Sequence, residues 1–355
     1  MRKALRVAGY VAWWTLMALL LAGLYFFFFK NGPQPIRYDL LRVPQGAPEA
    51  QPGFPTFYAA GVLWALGLVD VIEFEKVPIP PGVVFKKDIE YGRVGDRPLR
   101  LDLYTPEHLD RPAPCLIFIH GGGWAGGDKK DYAYYCVRFA QRGYVVASVG
   151  YRFVQEALFP ACIQDVKCAV RYLRSHAAEH AIDADKMCAI GGSAGGHLSL
   201  MIGLSPHVPE LEGDGGWPGV SSHVAAVVDL YGPTDLTVPG DRNHPILRRA
   251  MGKTYEEAPD LYALGSPIKF VTPNAPPILI FQGNIDDLVP VAQSDMLAEK
   301  LRSMGLPYWY DCLYGMPHTM DILLRTNERC QYIMNAFFEK YLKGNPVEVV
   351  EPGSR

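Results

Sequence analysis

Short apolar runs recur along most of the chain, and stretches with helical periodicity separate them. Runs of this kind are typical of strands buried on both faces of a parallel sheet, and they cover residues 115–119, 144–149, 187–190, 224–230 and 277–281. Apolar positions with helical spacing fill 131–142, 161–179, 194–204, 291–304 and 322–342. The alternation predicts an α/β fold, with a mostly parallel central sheet and helices on both of its faces.

Two earlier segments, 83–92 and 97–104, predict an antiparallel strand pair, and the second alternates apolar and polar positions cleanly. A further strand-like run, in addition to those given above, comes just before Tyr314. Because function in such folds lies at the carboxyl ends of the strands, these ends are where candidate chemistry is expected.

The N-terminal region has a different pattern. Residues 7–29 contain no charged side chain, and basic residues precede them. At about 1.5 Å per residue this run is roughly 34 Å long, which predicts an uncleaved transmembrane helix rather than a signal peptide. The basic N-terminus favours placing the chain after this helix on the periplasmic, extracytoplasmic side. A second apolar run at 57–69 is too short to span, and it predicts an interfacial helix, a cap over the site or half of a membrane hairpin.

These patterns divide the chain into four parts. They are a membrane anchor at 1–30, a linker and apolar segment at 31–82, a catalytic domain at 83–345 and a C-terminal tail at 346–355. A hydrophobic content of 49%, a charged content of 20% and a net charge of -3 indicate a globular domain and give no sign of nucleic-acid binding.

Seven cysteines are scattered through apolar runs without C-x-x-C spacing, so we interpret them as small core side chains. His176 and His180 have a spacing that suits a metal, but no third ligand accompanies them, so a solvated helix face is the simpler interpretation. No metal and no cofactor is expected.

The candidate nucleophile is Ser193, within G-x-S-x-G between a predicted strand and a predicted helix. A serine on such a sharp turn needs small neighbours, and the helix N-terminus favours negative charge that develops there. A phosphate-binding glycine turn is the alternative interpretation.

A glycine-rich loop follows the strand that ends near residue 119. Its amides predict an oxyanion hole made by Gly122 and Gly123 together with Ala194, which follows the nucleophile. A simple glycine loop is the alternative. His120 is expected to brace this loop, His197 to pack, and the pair Asp128 and Lys129 to lie on the pocket rim.

A serine nucleophile needs a base and an orienting acid, and in this fold class the order along the chain is Ser, acid, His. The acid should follow the strand at 277–281, where Asp286 and Asp287 are adjacent. Beyond them the sole histidine is His318, which is therefore the predicted base.

Five motifs in order closely resemble the hormone-sensitive-lipase-like esterases of the α/β-hydrolase fold, above all bacterial acyl esterases related to feruloyl and acetyl xylan esterases. They are H-G-G-G-W at 120–124, F-P-A-C-I-Q-D-V-K-C-A-V-R-Y-L-R at 159–174, G-G-S-A-G-G-H-L at 191–198, V-V-D-L-Y-G-P-T-D-L at 227–236 and G-x-x-D-x-x-V-P-x-x-Q-S at 283–294. The resemblance covers about 85–342 and implies a carboxylic ester hydrolase without a cofactor.

By this resemblance the nucleophile is Ser193, the oxyanion glycines are Gly122 and Gly123, and the base is His318. The acid of the family lies three residues after a glycine, which favours Asp286 over Asp287. Gln282 stands where the family usually has histidine, and Gly315-Met316-Pro317 replaces the usual G-x-G before the base.

The resulting expectation is ester hydrolysis through an acyl-enzyme, on small or short-chain acyl esters. An amidase such as an arylformamidase, or a peptidase, on the same scaffold is the alternative, and a non-catalytic membrane-tethered protein is a more distant one. The region 233–276 is expected to line or cover the pocket with some of its charged side chains, which are Asp241, Arg242, His244, Arg248 and Arg249.

Overall fold

A computed structural model describes residues 2–73, 76–206 and 208–350, with side chains from residue 12 onward. Its strands are β1 (Val43–Pro44), β2 (Val83–Val94), β3 (Arg97–Pro106), β4 (Ala113–Ile119), β5 (Val145–Val149), β6 (Ile182–Gly192), β7 (Ala226–Leu230), β8 (Ile278–Gly283), β9 (Tyr308–Leu313) and β10 (Val349–Val350). Its α-helices are α1 (Arg2–Phe28), α2 (Phe57–Ala65), α3 (Ala133–Gln141), α4 (Ala161–Ser175), α5 (Ala194–Leu204), α6 (Pro245–Met251), α7 (Pro259–Leu264), α8 (Val291–Ser303) and α9 (Leu324–Tyr341).

Within the described residues the main sheet has eight strands in the order β2-β3-β5-β4-β6-β7-β8-β9. The pairs β2–β3 and β3–β5 are antiparallel, and every later pair is parallel. The mostly parallel sheet and the early antiparallel pair confirm the fold predicted from the apolar pattern.

The sheet separates two apolar cores. On one face α4, α5 and α8 cover the sheet through side chains such as Ile163, Leu198 and Leu297. On the other face α3 and α9 pack through Phe139 and Phe337. All seven cysteines are buried and free, as expected of small core side chains.

The predicted helix at 161–179 ends earlier than the pattern indicated. Helix α4 stops at Ser175 and His176 is its C-terminal cap. The residues after it turn back into β6, so His176 and His180 are not on one helix face.

The predicted membrane anchor is not supported. Among the residues that the structure describes, no helix combines the length and the apolar character needed to cross a bilayer. Residues 7–11 of the predicted span lie outside the described side chains. The extracytoplasmic placement stays a prediction.

The segment at 31–82 follows the surface of the catalytic domain. Thr56 caps α2, the helix that begins the apolar run at 57–69. The Thr56 hydroxyl donates to the Phe27 carbonyl, at the end of α1, at 2.7 Å. Farther on, Val71 forms an antiparallel bridge with Leu323. Strand β1 pairs with β10, the start of the predicted tail, and residues 351–355 of that tail lie outside the described residues.

Candidate active site

Ser193 occupies the turn between β6 and α5. Its backbone has φ 57° and ψ -122°, in a region that a residue with a side chain rarely adopts. The Ser193 amide donates to the Leu230 carbonyl at 2.9 Å, and the His197 amide donates to the Ser193 carbonyl at 3.0 Å. The strained backbone is therefore fixed from both sides, and Ser193 remains half-buried at the edge of a cavity.

Glycine at position 195 is required by close approach of the backbone. A Cβ atom there would lie 1.9 Å from the carbonyl oxygen of Ile119, at the end of the neighbouring strand β4. The first turn of α5 can thus lie directly against the end of β4, which brings Ser193 next to the glycine-rich loop. A Cβ on Gly121 would be 3.4 Å from the Ser193 Cβ.

His120 braces the glycine-rich loop, as predicted. Its Nδ1 lies 2.9 Å from the Gly121 carbonyl, and its ring stacks on Tyr151 with centroids 4.5 Å apart. The Tyr151 hydroxyl in turn donates to the His120 carbonyl at 2.9 Å. Burial lowers the pKa of His120, so the ring is neutral at physiological pH. Gly122 and Gly123, with φ 106° and 59°, line the same cavity as Ser193 and Ala194.

Asp286 and His318 meet where β8 and β9 end. Asp286 Oδ2 is 2.6 Å from His318 Nδ1, and the Asp286 side chain is fully buried. Asp286 Oδ1 accepts the amides of Leu288 and Val289 at 3.0 and 2.9 Å. These donors fix the carboxylate, which in turn fixes the orientation of the imidazole.

Asp287 points elsewhere. Its carboxylate makes a long 3.5 Å contact with the Asn31 amide and lies on the cavity wall. Burial, followed by the neighbouring Asp286 carboxylate, raises the pKa of Asp287. Of the two adjacent acids that the spacing left open, the structure places Asp286 against His318.

Gln282 supports the acid, a contact that the sequence did not predict. Its Nε2 lies 3.3 Å from Asp286 Oδ2 and donates to the Val289 carbonyl at 3.1 Å. Ser294 donates to Gln282 Oε1 at 3.0 Å and holds the amide in this orientation. The glutamine that departs from the family pattern therefore has a defined place behind the acid.

One cavity of about 880 Å³ connects the candidate nucleophile, the candidate base and the glycine-rich loop. Its wall includes Ser193, His318 and Asp287, together with the oxyanion candidates Gly122, Gly123 and Ala194. The region 233–276 contributes Asp241, His244 and Arg249, as expected of a segment that lines the pocket. Arg242 instead pairs with Glu256 at 3.6 Å, and Arg248 is not on the wall.

A buried polar cluster lies beside the candidate base and was not foreseen. The ring of Tyr231 meets that of His318 edge to face, with centroids 4.8 Å apart. The Tyr231 hydroxyl donates to Asp321, whose pKa is raised by burial. No local pattern marks these residues, because each contact joins positions far apart in the sequence.

Two predictions about other histidines have different outcomes. His197 packs, as predicted: its Nε2 lies 2.7 Å from the Gly265 carbonyl and burial lowers its pKa to about 4. The solvated face predicted for His176 and His180 is wrong, because His180 is buried and its Nε2 lies 3.1 Å from the Tyr172 hydroxyl. In the part of the chain that the structure describes, no cluster of three ligating side chains is arranged to hold a metal.

Asp128 and Lys129 are not part of the cavity wall, although Gly127 and Asp131 beside them are, so their place on the pocket rim stays a prediction. Asp128 caps the short 3-10 turn before α3, and Lys129 pairs with Asp88 at 2.8 Å. The cavity wall takes Asp131 from this segment instead.

Comparison with known proteins agrees with the geometry. The BD-FAE family model matches residues 101–301. Esterase LipQ of Mycobacterium tuberculosis is 34% identical over 250 residues, covering 68% of this chain and 59% of LipQ. Esterase LipC of the same organism is 34% identical over 242 residues, covering 64% of this chain and 59% of LipC. The chain thus spans less than two thirds of the length of these relatives.

Solved structures are similar over a longer part of the chain. A truncated carbohydrate esterase from gut microbiota is 29% identical with a TM-score of 0.62, covering 70% of this chain and 96% of that one. Esterase 2 of Thermogutta terrifontis with propionate bound is 27% identical with a TM-score of 0.63, covering 73% of this chain and 94% of that one. The matched family model, with this shared fold, places the chain in the BD-FAE family of α/β-hydrolase esterases, of the hormone-sensitive-lipase-like kind.

Proposed function

We propose that this protein is a carboxylic ester hydrolase that works through an acyl-enzyme on Ser193, with His318 as base and Asp286 as orienting acid. The observation that carries the proposal is the 2.6 Å contact between His318 Nδ1 and Asp286 Oδ2 on a cavity that also contains Ser193. A buried carboxylate bound to Nδ1 leaves Nε2 as the nitrogen that accepts a proton.

In the first half of the reaction, Ser193 Oγ attacks the ester carbonyl while His318 Nε2 takes the hydroxyl proton. The tetrahedral intermediate carries a negative oxygen, and the amides of Gly122, Gly123 and Ala194 stabilise it. Loss of one donor of this kind typically costs about 2.7–4 kcal/mol of transition-state stabilisation. The C–O bond to the alcohol then breaks, and His318 gives its proton to the leaving alkoxide oxygen.

In the second half, water attacks the acyl-enzyme and gives a proton to His318. The new tetrahedral intermediate collapses, the acid leaves, and His318 returns the proton to Ser193 Oγ. Asp286 stays ionised throughout, because its role is to hold the imidazole in one tautomer and to stabilise the imidazolium. The four contacts made by the Asp286 oxygens support this role.

The substrates that fit best are neutral esters with short acyl groups. The described part of the cavity wall carries five aspartates, Asp131, Asp235, Asp241, Asp287 and Asp321, against one arginine, Arg249. Asp235 pairs with Lys269 at 3.2 Å and burial raises the pKa of Asp287 and Asp321, so the wall is less negative than this count of aspartates. A substrate carboxylate would still find a single arginine on the described wall to pair with, so a neutral ester is favoured. The similar esterase 2 of Thermogutta terrifontis has been solved with propionate bound and with butyrate bound, which supports a short acyl chain here.

The test is hydrolysis of p-nitrophenyl acetate and butyrate by the purified full chain. We expect turnover that Ser193→Ala abolishes to near background, and stoichiometric labelling of the wild type by a fluorophosphonate at Ser193 alone. Ser199 is buried in α5 and its hydroxyl donates to the Gly195 carbonyl at 2.8 Å, so Ser199→Ala is the control and should keep its activity. Undiminished activity in Ser193→Ala would overturn the proposal.

The same preparation separates ester from amide hydrolysis. Acetate esters and N-formylkynurenine are compared at equal concentration, and we expect kcat/KM to be higher for the esters. A higher kcat/KM for the formamide would retain the acyl-enzyme chemistry and replace the proposed substrate class with amides.

A further inference from the structure

We call the segment 31–72 the strap. It precedes the region that the family model matches, and yet it contacts both the loop that carries Asp286 and the loop that carries His318. Its last part forms a short antiparallel ladder with the chain after His318. The Ile72 amide donates to the Ile322 carbonyl and the Leu324 amide donates to the Asp70 carbonyl, each at 2.9 Å. Between them Val71 bridges Leu323.

This ladder puts neighbouring side chains of the strap on opposite faces. Val71 packs against the apolar core on the α9 side of the sheet. Ile72 is only 5% exposed, but it belongs to neither core and instead forms part of the cavity wall, as does its partner Ile322. The strap therefore supplies a side chain to the substrate cavity from outside the matched family region, which begins at residue 101.

The chemistry decides which part of a substrate lies there. In the proposed reaction His318 protonates the oxygen of the leaving alcohol, so the alcohol must lie on the His318 side of Ser193. Ile322 follows His318 by four residues, and the ladder joins Ile72 to it. On this placement the alcohol portion of the ester lies toward Ile72 and Ile322, because Ile322 belongs to the same loop as His318 and both isoleucines line the same cavity.

Resting on the proposed ester hydrolysis, we propose that Ile72 is a specificity-determining residue that selects the alcohol portion of the substrate. With Ile322 it presents an aliphatic wall, which favours esters of apolar alcohols and limits their size. The acyl portion lies on the other side of the scissile bond and is not selected by Ile72. A side chain contributed by the strap therefore decides which alcohols this protein accepts.

The experiment compares Ile72→Ala with the wild type on two substrate series. In the first, acetate esters of methanol, butanol and cyclohexanol are followed by proton release, so that only the alcohol changes. In the second, p-nitrophenyl acetate, butyrate and hexanoate keep the alcohol constant. Since one missing methylene in an apolar pocket is worth about 10–200-fold in discrimination, we expect the cyclohexyl-to-methyl ratio of kcat/KM to change at least about tenfold. The acyl series should keep its wild-type order and ratios.

Val71→Ala is the matched control, because it shortens the adjacent side chain on the core face of the same ladder. It should lower the thermal midpoint and leave both substrate series unchanged. If Ile72→Ala unfolds, Ile72→Val, which removes one methyl group, serves in its place with a smaller shift in the same direction.

The outcomes separate the two proposals. An active wild type whose Ile72 variants keep the alcohol ratios, or shift the acyl ratios instead, overturns the role of Ile72 and leaves the ester hydrolase proposal intact. A folded wild type that hydrolyses no ester and takes no fluorophosphonate overturns both.

Discussion

Asp286 and His318 lie 32 positions apart in the chain, and Oδ2 of the first is 2.6 Å from Nδ1 of the second. The contact forms because β8 and β9 are parallel neighbours, so the loops that follow them leave the sheet at the same edge. The strand order therefore brings Asp286 against His318, the proposed base.

Asp286→Asn tests the orienting acid. An amide at this position can donate to Nδ1 and stabilise the wrong imidazole tautomer, so kcat for p-nitrophenyl acetate should fall by about 10⁴-fold with an unchanged fold. Asp287→Asn is the matched control one residue away, and its kcat should stay within about threefold of the wild type, since its carboxylate does not touch His318. A larger loss in Asp287→Asn would reassign the acid.

Asn284→Ala tests whether the strap positions the acid and base loops. The buried Asn284 side chain donates to the Gln34 carbonyl and accepts the Gly315 amide, both at 2.6 Å. Leaving these groups without partners costs roughly 1–3 kcal/mol, and part of that cost should appear as misplacement of Asp286 and His318. We expect kcat to fall about tenfold with little change in KM, by the ~1.4 kcal/mol that corresponds to this factor.

Asn345→Ala provides the reference for that change. Asn345 bonds Glu339 at the end of α9, at the surface and outside the cavity wall, so both kinetic constants should match the wild type. Equal kcat values for the two alanine variants would show that Asn284 is only structural.

Gly195→Ala tests the close approach at the nucleophile turn. The added methyl group would lie 1.9 Å from the Ile119 carbonyl, so backbone must move and the free energy of unfolding should drop by several kcal/mol. Gly61→Ala in α2, where no atom lies within 4 Å of the added methyl, should be neutral or stabilising by up to about 1 kcal/mol. Thermal melts measure both, and a melting temperature of Gly195→Ala equal to that of the wild type contradicts the packing.

The buried His197 predicts a loss of stability in mild acid. Burial lowers its pKa from the ordinary 6.5 to about 4, so between these pH values the unfolded chain binds a proton that the folded chain does not. The free energy of unfolding should therefore fall as pH drops through this window, by roughly 3 kcal/mol from this group at ~1.36 kcal/mol per pKa unit.

Denaturant titrations at pH 7, 5.5 and 4.5 measure that dependence. His197→Gln keeps a donor for the Gly265 carbonyl and should flatten the curve, whereas His108→Gln, at an exposed position, should leave it unchanged. A difference between wild type and His197→Gln that stays constant across the three pH values would contradict the assignment.

Much of this site could be predicted from sequence because its residues follow strands with strong apolar patterns. Ser193 follows β6 and Asp286 follows β8 directly in the chain. The apolar pattern of each strand therefore indicates where these two residues lie. The spacing alone left Asp286 and Asp287 open, since two adjacent loop residues differ only in the direction that the backbone gives them.

What the sequence did not indicate depends on contacts between distant segments. Ile72 reaches the cavity through a ladder to residues 322–324, and Gln282 is behind the acid because Ser294 holds its amide. The membrane prediction for residues 7–29 was drawn from apolar length alone, and among the described residues no helix is both long enough and apolar enough to span a bilayer.

The strap changes what should count as the minimal catalytic fragment. A fragment that starts at Val83, where β2 begins, would retain Ser193, Asp286 and His318 and all of the matched family region. It would also lose Ile72 and the Gln34 contacts to Asn284, leaving the cavity open on the alcohol side and the acid loop held from one side only. Expression boundaries drawn from family similarity would thus remove contacts to the cavity wall and to the Asp286 loop, and a working fragment should begin before Asn31.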